Sequence, residues 1–510
     1  MESPLVLELM IVFSFFLIMA FFWFLLDWDS VEAFYQDSLK VVFSNKELSF
    51  ILSFVCLFLI LSNMFGISFA DIEKIDATTY RKFDLLIKIL GGSGGLFALY
   101  LAYRRSRQMD KTIAETERNN KESSQRDRFT KAVEQLGNDK AEVRLGAIYT
   151  LDKIGKEAVA LKDKEEVERI VNIFCSFVRE RSHEKLGKET PDWLIGKESS
   201  VGDEKKEEKP RIDIQAVVDI LFSTQDYAEY DYDLSFSKIH HVACKVRRLS
   251  RVDFNNTTFT QYARFDNVTF TQEAWFNNTT FTQYARFENA IFTQEAWFTN
   301  ATFTRFAWFE NATFTQEAWF ENAIFTQYAW FDNTTFTQDA WFDNTTFTQE
   351  ARFENTTFKQ VASFENATFA QGAKFDSVTF KESTSFKNAT FTQEAWFNNT
   401  TFTQDASFEN ATFKKDARFN NTIFTQVASF ENVIFKEGAW FEDAIFKISA
   451  WFVETKFKDF SEISGLTKDV FLKFAKGSLY KTEGLPDELV KEIEKVGKKD
   501  LFDKPVFFLQ

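Results

Sequence analysis

The chain has 510 residues, a formal net charge of -15, 65 phenylalanines, 17 glycines and 5 prolines. It has room for several domains and an ample core, but so much phenylalanine is far from the composition of an average globular protein. The negative charge disfavours phosphate-rich partners, and the three cysteines, Cys56, Cys175 and Cys244, fit neither a disulfide framework nor a zinc spacing.

Residues 1–104 read as a membrane anchor. Leu5 to Leu26 and Phe50 to Phe69 are almost wholly apolar and long enough to span about 30 Å of hydrocarbon, and Leu85 to Tyr103 is a weaker third run containing Lys88. The expected spans are therefore 5–26, 50–69 and 85–103. The first run lacks the basic start and cleavage site of a signal peptide. Gly91-Gly92-Ser93-Gly94-Gly95 is no phosphate loop, because no Lys-Ser/Thr follows; such small residues let membrane helices approach closely. Arg104, Arg105, Arg107 and Lys111 follow at once, which by the positive-inside rule puts that end, and all that follows it, in the cytoplasm.

Residues 105–182 read as a helical region. A helix ends at Gly137; then Val143, Leu145, Ile148, Leu151 and Ile154 recur at helical spacing, as do Val167, Ile170, Val171, Phe174 and Val178. The run Arg144-Leu145-Gly146-Ala147-Ile148-Tyr149 is similar to HEAT-like helices. Residues 183–210, rich in Lys, Glu, Asp, Ser and Gly, read as an exposed, mobile loop. Residues 211–233 resume as a helical cap.

From Phe254 to Phe457 the chain repeats every eleven residues. One set of phenylalanines runs Phe254, Phe265, Phe276 and on to Phe452; a second runs Phe259, Phe270, Phe281 and on to Phe457. A small residue stands two before each, as in Ala263-Arg264-Phe265, so a ring and a small side chain share one face of a short strand. An eleven-residue period also suits a right-handed coiled coil, but phenylalanine, threonine and Asn-Thr-Thr runs suit strands. No proline lies between Pro210 and Pro486, as an uninterrupted strand ladder requires. Upstream, Leu234, Ile239, Cys244, Leu249, Phe254 and Phe259 fall at intervals of five.

On these residues the chain resembles the pentapeptide-repeat family, in which four units make one square turn of a right-handed β-helix. The resemblance implies an all-β quadrilateral solenoid over 234–460. Every second unit carries an extra residue, so a coil of about 22 residues with two bulged corners is expected. The order of membrane run, Tyr103-Arg104-Arg105, Arg128-Phe129-Thr130-Lys131-Ala132, Arg144 to Tyr149, Phe177-Val178-Arg179-Glu180 and Asp213-Ile214-Gln215-Ala216 is similar to membrane-anchored pentapeptide-repeat proteins of prokaryotes. That likeness implies a location and a fold, but no activity. Residues 461–510, with stretches at 466–475 and 486–496, read as a helical cap that shields the last coil.

Sorting variable positions tests the coil length. The residue before the first phenylalanine gives one column of Arg264, Arg286, Trp308, Trp330, Arg352, Lys374, Trp396, Arg418 and Trp440. The other column is Trp275, Trp297, Trp319, Trp341, then Ser363, Ser385, Ser407, Ser429 and Trp451. Like sits with like at twenty-two. Duplication of a longer block also explains this, and the recurrence of Val361-Ala362-Ser363-Phe364 at 427–430 shows that such duplication occurred.

Two faces result: Arg264, Arg286, Trp308 and Trp330 interleaved with tyrosines, and Glu273, Glu295 and Glu317 beside Trp275, Trp297, Trp319 and Trp341. Rows of exposed tryptophan mark an interface; alternatively, stacked Trp and Arg stabilise neighbouring coils. The reading is a membrane-tethered interaction scaffold, with an unknown protein partner or a second copy bound. The alternatives are a nucleic-acid-related role, as a duplex mimic toward a topoisomerase or by single-strand binding on the Arg/Trp face, and an extracellular glycosylated or carbohydrate-binding rod if the topology is inverted. Asn255-Asn256-Thr257 and its copies match a glycosylation pattern, but Asn also turns corners and Thr favours strands. No enzyme, cofactor, metal or small-molecule substrate is expected: no catalytic motif occurs, His240 and His241 are adjacent, and His183 falls in the charged loop.

Overall fold

The computed structural model describes residues 77–184, 210–458, 463–464, 470 and 474–504. The chain divides into two units, Met1–Ser123 and Ser124–Gln510. Helix α1, Ala77–Leu136, runs without a break through the expected boundary at 104. No helix among the described residues is long and apolar enough to cross a membrane. The expected spans 5–26 and 50–69 lie outside the described residues, as do most side chains of 85–103.

After α1 come α2 (Ala141–Leu161), α3 (Lys164–Arg181) and α4 (Ile212–Ser223). Leu136 ends α1 as expected, but Gly137 is not left-handed; its N–H turns back to the Glu134 carbonyl at 3.2 Å. The tight link between α2 and α3 is set by Lys162, with φ of 58°, and by Asp163, whose carboxylate accepts the Glu166 N–H at 3.1 Å. Most of the expected stripes are buried, with Ile148, Leu151, Ile170, Val171, Phe174 and Val178 at 0 % exposure, while Val143 and Leu145 are half-buried. Arg144 is 5 % exposed; it donates to Asp213 at 2.7 Å and to the carbonyls of Asn138 and Asp139 at 2.7 and 2.8 Å. Asp213 also receives Arg211 at 2.7 Å. Burial alone would raise the Asp213 carboxyl, but the Arg211 and Arg144 guanidiniums outweigh it and hold it below the usual carboxylate value. This pair joins the two motifs, Arg144 to Tyr149 and Asp213 to Ala216, that lie far apart in sequence. Gly155 is small for a related reason: a Cβ there would lie 2.3 Å from the Tyr227 hydroxyl, which donates to the Asp152 carbonyl at 3.0 Å.

The solenoid has four parallel sheets, three of eleven strands and one of ten. Sheet 1 starts at Tyr232–Asp233, sheet 2 at Lys238–Ile239, sheet 3 at Val242–Ala243 and sheet 4 at Arg248–Leu249. The repeat thus begins two residues before the expected 234. Pairing gives the coil length directly. Tyr232 faces Val252 and Val242 faces Ala263, whereas Val252 faces Ala274 and Thr280 faces Thr302. The coil grows from twenty through twenty-one to twenty-two residues where the upstream interval of five gives way to alternating five and six, and stays there until the last pairing, Ala439 with Ile463, which spans twenty-four.

Each eleven-residue half-coil turns two unlike corners. At the five-residue corner the Thr257 N–H donates to the Phe254 carbonyl at 3.0 Å, and Asn256 has φ of 59°. The same positive φ recurs every eleven residues, at Asn267, Asn278, Asn289 and onward, with Ser377, Asp443 and Glu454 as exceptions. Asparagine is the side-chain-bearing residue that best tolerates this region, so the repeated Asn does turn the corner. The extra residue sits at the other corner, around Thr260 and Gln261, where the backbone bends without a positive φ.

The phenylalanines fill the bore. Phe331 is fully buried, lies parallel to Phe309 and Phe353 at 4.8 and 4.9 Å, and meets Phe320 and Phe342 edge-on at 5.4 and 5.5 Å. Small inward residues complete the layer; where one is threonine, its hydroxyl reaches the coil before, as Thr334 does to the Phe309 carbonyl at 2.7 Å. At a rise of about 4.8 Å per coil, the ten steps of an eleven-stranded sheet span about 48 Å.

Both ends are closed by non-repeat residues. Phe222 of α4 stacks on Phe254 at 6.0 Å, so the helix supplies the ring a preceding coil would have given. Cys244 is less enclosed than its lattice place suggests, since α4 rather than a coil lies beside it and the Lys245 N–H donates to the Phe222 carbonyl at 2.8 Å. At the far end Phe474 meets Phe446 and Phe452 at 5.5 and 6.1 Å. The expected helical cap over 461–510 is only partly helical. Ile463–Ser464 adds a strand to sheet 3, the Phe452 and Glu454 N–H groups donate to Ser478 and Tyr480, and Asp487–Lys495 forms α5. Backbone groups of the last coil need partners that a helix cannot give. The expected helix over 466–475 and the loop over 183–210 lie mostly outside the described residues. His183, placed in that loop by sequence, instead has Nε2 at 2.7 Å from the Phe236 carbonyl on the first coil.

Candidate interaction faces

Sheets 1 and 3 lie on opposite sides of the solenoid and carry the two expected columns. On sheet 1, Trp275, Trp297, Trp319 and Trp341 pair in register, and Trp341 then faces Ser363. Trp297 and Trp319 stack at 5.0 Å and 3°, Trp319 and Trp341 at 5.6 Å and 18°. These tryptophans are half-buried, not the exposed rows expected: Trp297, Trp319 and Trp341 cover one another, and Arg251 lies over Trp275 at 5.4 Å. The indole N–H groups of Trp319 and Trp341 are buried, so the ring atoms that reach solvent are carbon. Glu273, Glu295 and Glu317 flank the ladder. From Ser363 to Ser429 the column turns small, and the Ser385 hydroxyl donates to Glu365 at 2.7 Å.

On sheet 3, Tyr284, Phe306 and Tyr328 stack at 5.7 and 5.2 Å beside Trp308 and Trp330. Arg286 lies over Trp308 at 5.4 Å and Arg352 over Trp330 at 5.3 Å, so cations close both ends of the tryptophan pair. Further along, Gly438 leaves room for Trp440, since a Cβ there would lie 2.6 Å from the Trp440 indole nitrogen.

Sequence reasoning missed the column one residue after the first phenylalanine. On sheet 3 it reads Asp266, Glu288, Glu310, Asp332, Glu354 and Asp376, one carboxylate per coil. Two arginines straddle neighbouring carboxylates: Arg286 meets Asp266 at 3.3 Å and Glu288 at 2.7 Å, and Arg352 meets Asp332 at 2.6 Å and Glu354 at 3.7 Å. Arg264, the most exposed of the three, meets Asp266 at 3.3 Å. Burial pushes the Asp332 carboxyl up to about 6 even against the Arg352 charge. Glu310 and Asp376 are also raised, burial first and a neighbouring glutamate second among the raising causes. Sorting this position at twenty-two would have shown the column.

These arrangements are built for packing. Burial lifts the Cys175 and Cys244 thiols to about 12, which leaves them unreactive. His241 stacks on Tyr262 at 4.8 Å. Among the described residues no group of three or more His, Cys, Asp or Glu has a metal-holding arrangement.

A family model described as pentapeptide repeats (9 copies) matches overlapping stretches from 254–302 to 408–456. No curated protein and no solved structure matches the chain. The phenylalanine-stacked coils between 254 and 456 are therefore pentapeptide repeats.

Proposed function

We propose that this pentapeptide-repeat solenoid is the rigid part of a membrane-tethered, non-catalytic interaction scaffold. The observation that carries the reading is the pair of opposite faces whose side chains are already stacked or ion-paired. A partner then meets surfaces that lose little side-chain freedom on binding. The tether rests on the apolar runs 5–26 and 50–69, with 85–103 as a third, and the basic residues from Arg104 to Lys111 assign the solenoid to the cytoplasmic side.

Two alternatives lose ground. Single-stranded bases stack on open ring faces, whereas Trp297, Trp319 and Trp341 spend theirs on each other. A duplex mimic needs free negative charge, whereas Arg264, Arg286 and Arg352 neutralise much of the sheet 3 carboxylate column.

The test has two arms. Protease access in intact cells and inverted vesicles should cleave the repeat region only in the vesicles; cleavage in intact cells would overturn the cytoplasmic assignment. In-cell crosslinking should lose its products when Trp275, Trp297, Trp319 and Trp341 are all changed to serine. Unchanged products would remove the sheet 1 face as the contact.

A further inference from the structure

The sheet 1 column has a second property that lies in its order. Four consecutive coils, Trp275 to Trp341, raise a ridge of tryptophans, of which Trp297, Trp319 and Trp341 are stacked, and the next four, Ser363 to Ser429, leave a trough. Ridge and trough have equal length, the same line on the same sheet, and a common midpoint between Trp341 and Ser363.

We propose that this face pairs with the same face of a second copy, antiparallel, about a two-fold axis that passes between the Trp341 and Ser363 coils. The rotation lays each ridge along the partner's trough, so Trp341 meets the partner's serine coil at 363 and Trp275 the one at 429. A parallel arrangement would set ridge on ridge and hold the sheets apart. At Trp319 and Trp341, whose indole nitrogens are buried, the exposed rim of the ridge is ring carbon. Stacking gives the ridge little freedom to lose, and tryptophan is the residue most often dominant in an interface. The interface is self-complementary, as a closed two-fold dimer requires.

Size and charge set its strength. Eight coils at about 4.8 Å and a face about 13 Å wide give roughly 500 Å² per copy, or about 1,000 Å² in all, the lower limit for a specific interface. The rotation sets Glu321 opposite Lys387, but also Asp343 opposite Glu365 and Glu295 opposite Asp405. The dimer is therefore concentration-dependent and tightens as salt screens the acidic rims.

This inference rests on the scaffold reading, and the experiment separates the two. The full chain is prepared in three forms: native, all-ridge (Ser363, Ser385, Ser407 and Ser429 each →Trp) and all-trough (Trp275, Trp297, Trp319 and Trp341 each →Ser). Sedimentation velocity should show a native dimer, and each variant alone should dimerise at least about tenfold more weakly. An equimolar mixture of the variants should recover a 1:1 complex, which loss of fold would not allow. A native chain that stays monomeric, or variants that dimerise like the native chain, would overturn the pairing. A monomeric native chain crosslinked in cells to another protein through Trp275 to Trp341 overturns self-pairing and leaves the scaffold reading standing; absence of both overturns both.

Discussion

The helical region and the solenoid are held together by opposite strategies. The helices depend on contacts made once: Arg144 with Asp213, and Gly155 beneath Tyr227. The solenoid makes a few contacts many times, so the layer around Phe331 is almost the layer around Phe309 or Phe353. A contact made once is legible only when its partner is known. A repeated contact declares itself by period, and a defect in one coil leaves its neighbours intact.

Variants should separate the two regimes. Asp213→Ala leaves two arginines facing a buried site without their carboxylate and should cost about 3 to 5 kcal/mol, unfolding α2 to α4 and exposing the first coil, as read by hydrogen exchange. Phe331→Ala should cost a similar roughly 3 to 5 kcal/mol, because a void opens between two parallel rings. Its exchange should rise mainly in the coils beside residue 331; uniform exposure of the whole solenoid would contradict the neighbour-only view.

A smaller effect is expected at the corner. Asn333 has φ of 57°, so Asn333→Val should cost about 1 to 2 kcal/mol while Asn333→Gly stays near neutral in a thermal melt. Equal losses from both would place the importance of Asn in its side chain. The smallest effect concerns pH. The folded Asp332 carboxyl, raised to about 6 by burial, binds its proton more readily than the unfolded group does. Its charged form therefore costs stability above that value, and the cost is relieved as pH falls from about 6 toward the unfolded value of about 4. Asp332→Asn should raise the melting temperature slightly at pH 7 and flatten the profile in that window.

The fold was readable where the sequence repeats. The phenylalanine lattice and the sorting of Trp and Ser columns led to twenty-two residues per coil, and pairing such as Trp297 with Trp319 bears that out. What escaped was set by three-dimensional context. The columns left two readings of the tryptophans, an exposed row or rings and cations stacked between coils, and the half-buried stack of Trp297, Trp319 and Trp341 follows the second. The carboxylates from Asp266 to Asp376 went unnoticed because, read repeat by repeat, the position after phenylalanine varies among Asp, Glu, Asn, Thr299, Lys387 and Val453. The strand at Ile463–Ser464 lies beyond the last repeat, where no period points to it. Membrane tethering stands where the sequence left it, as part of the proposal.

The central claim is that the structural unit is a twenty-two-residue coil of two unlike halves, and deletions test it most directly. Removing residues 331–352 takes out one whole coil and keeps every later side chain on its own face. Removing 331–341 takes out half a coil and sends each later column to the opposite face, so Trp319 would be followed by Arg352 rather than by Trp341 or a serine. Thermal melts of the full chain should show the first variant close to native and the second clearly lower. Equal melts would mean that the alternation at twenty-two records only how the repeats were copied.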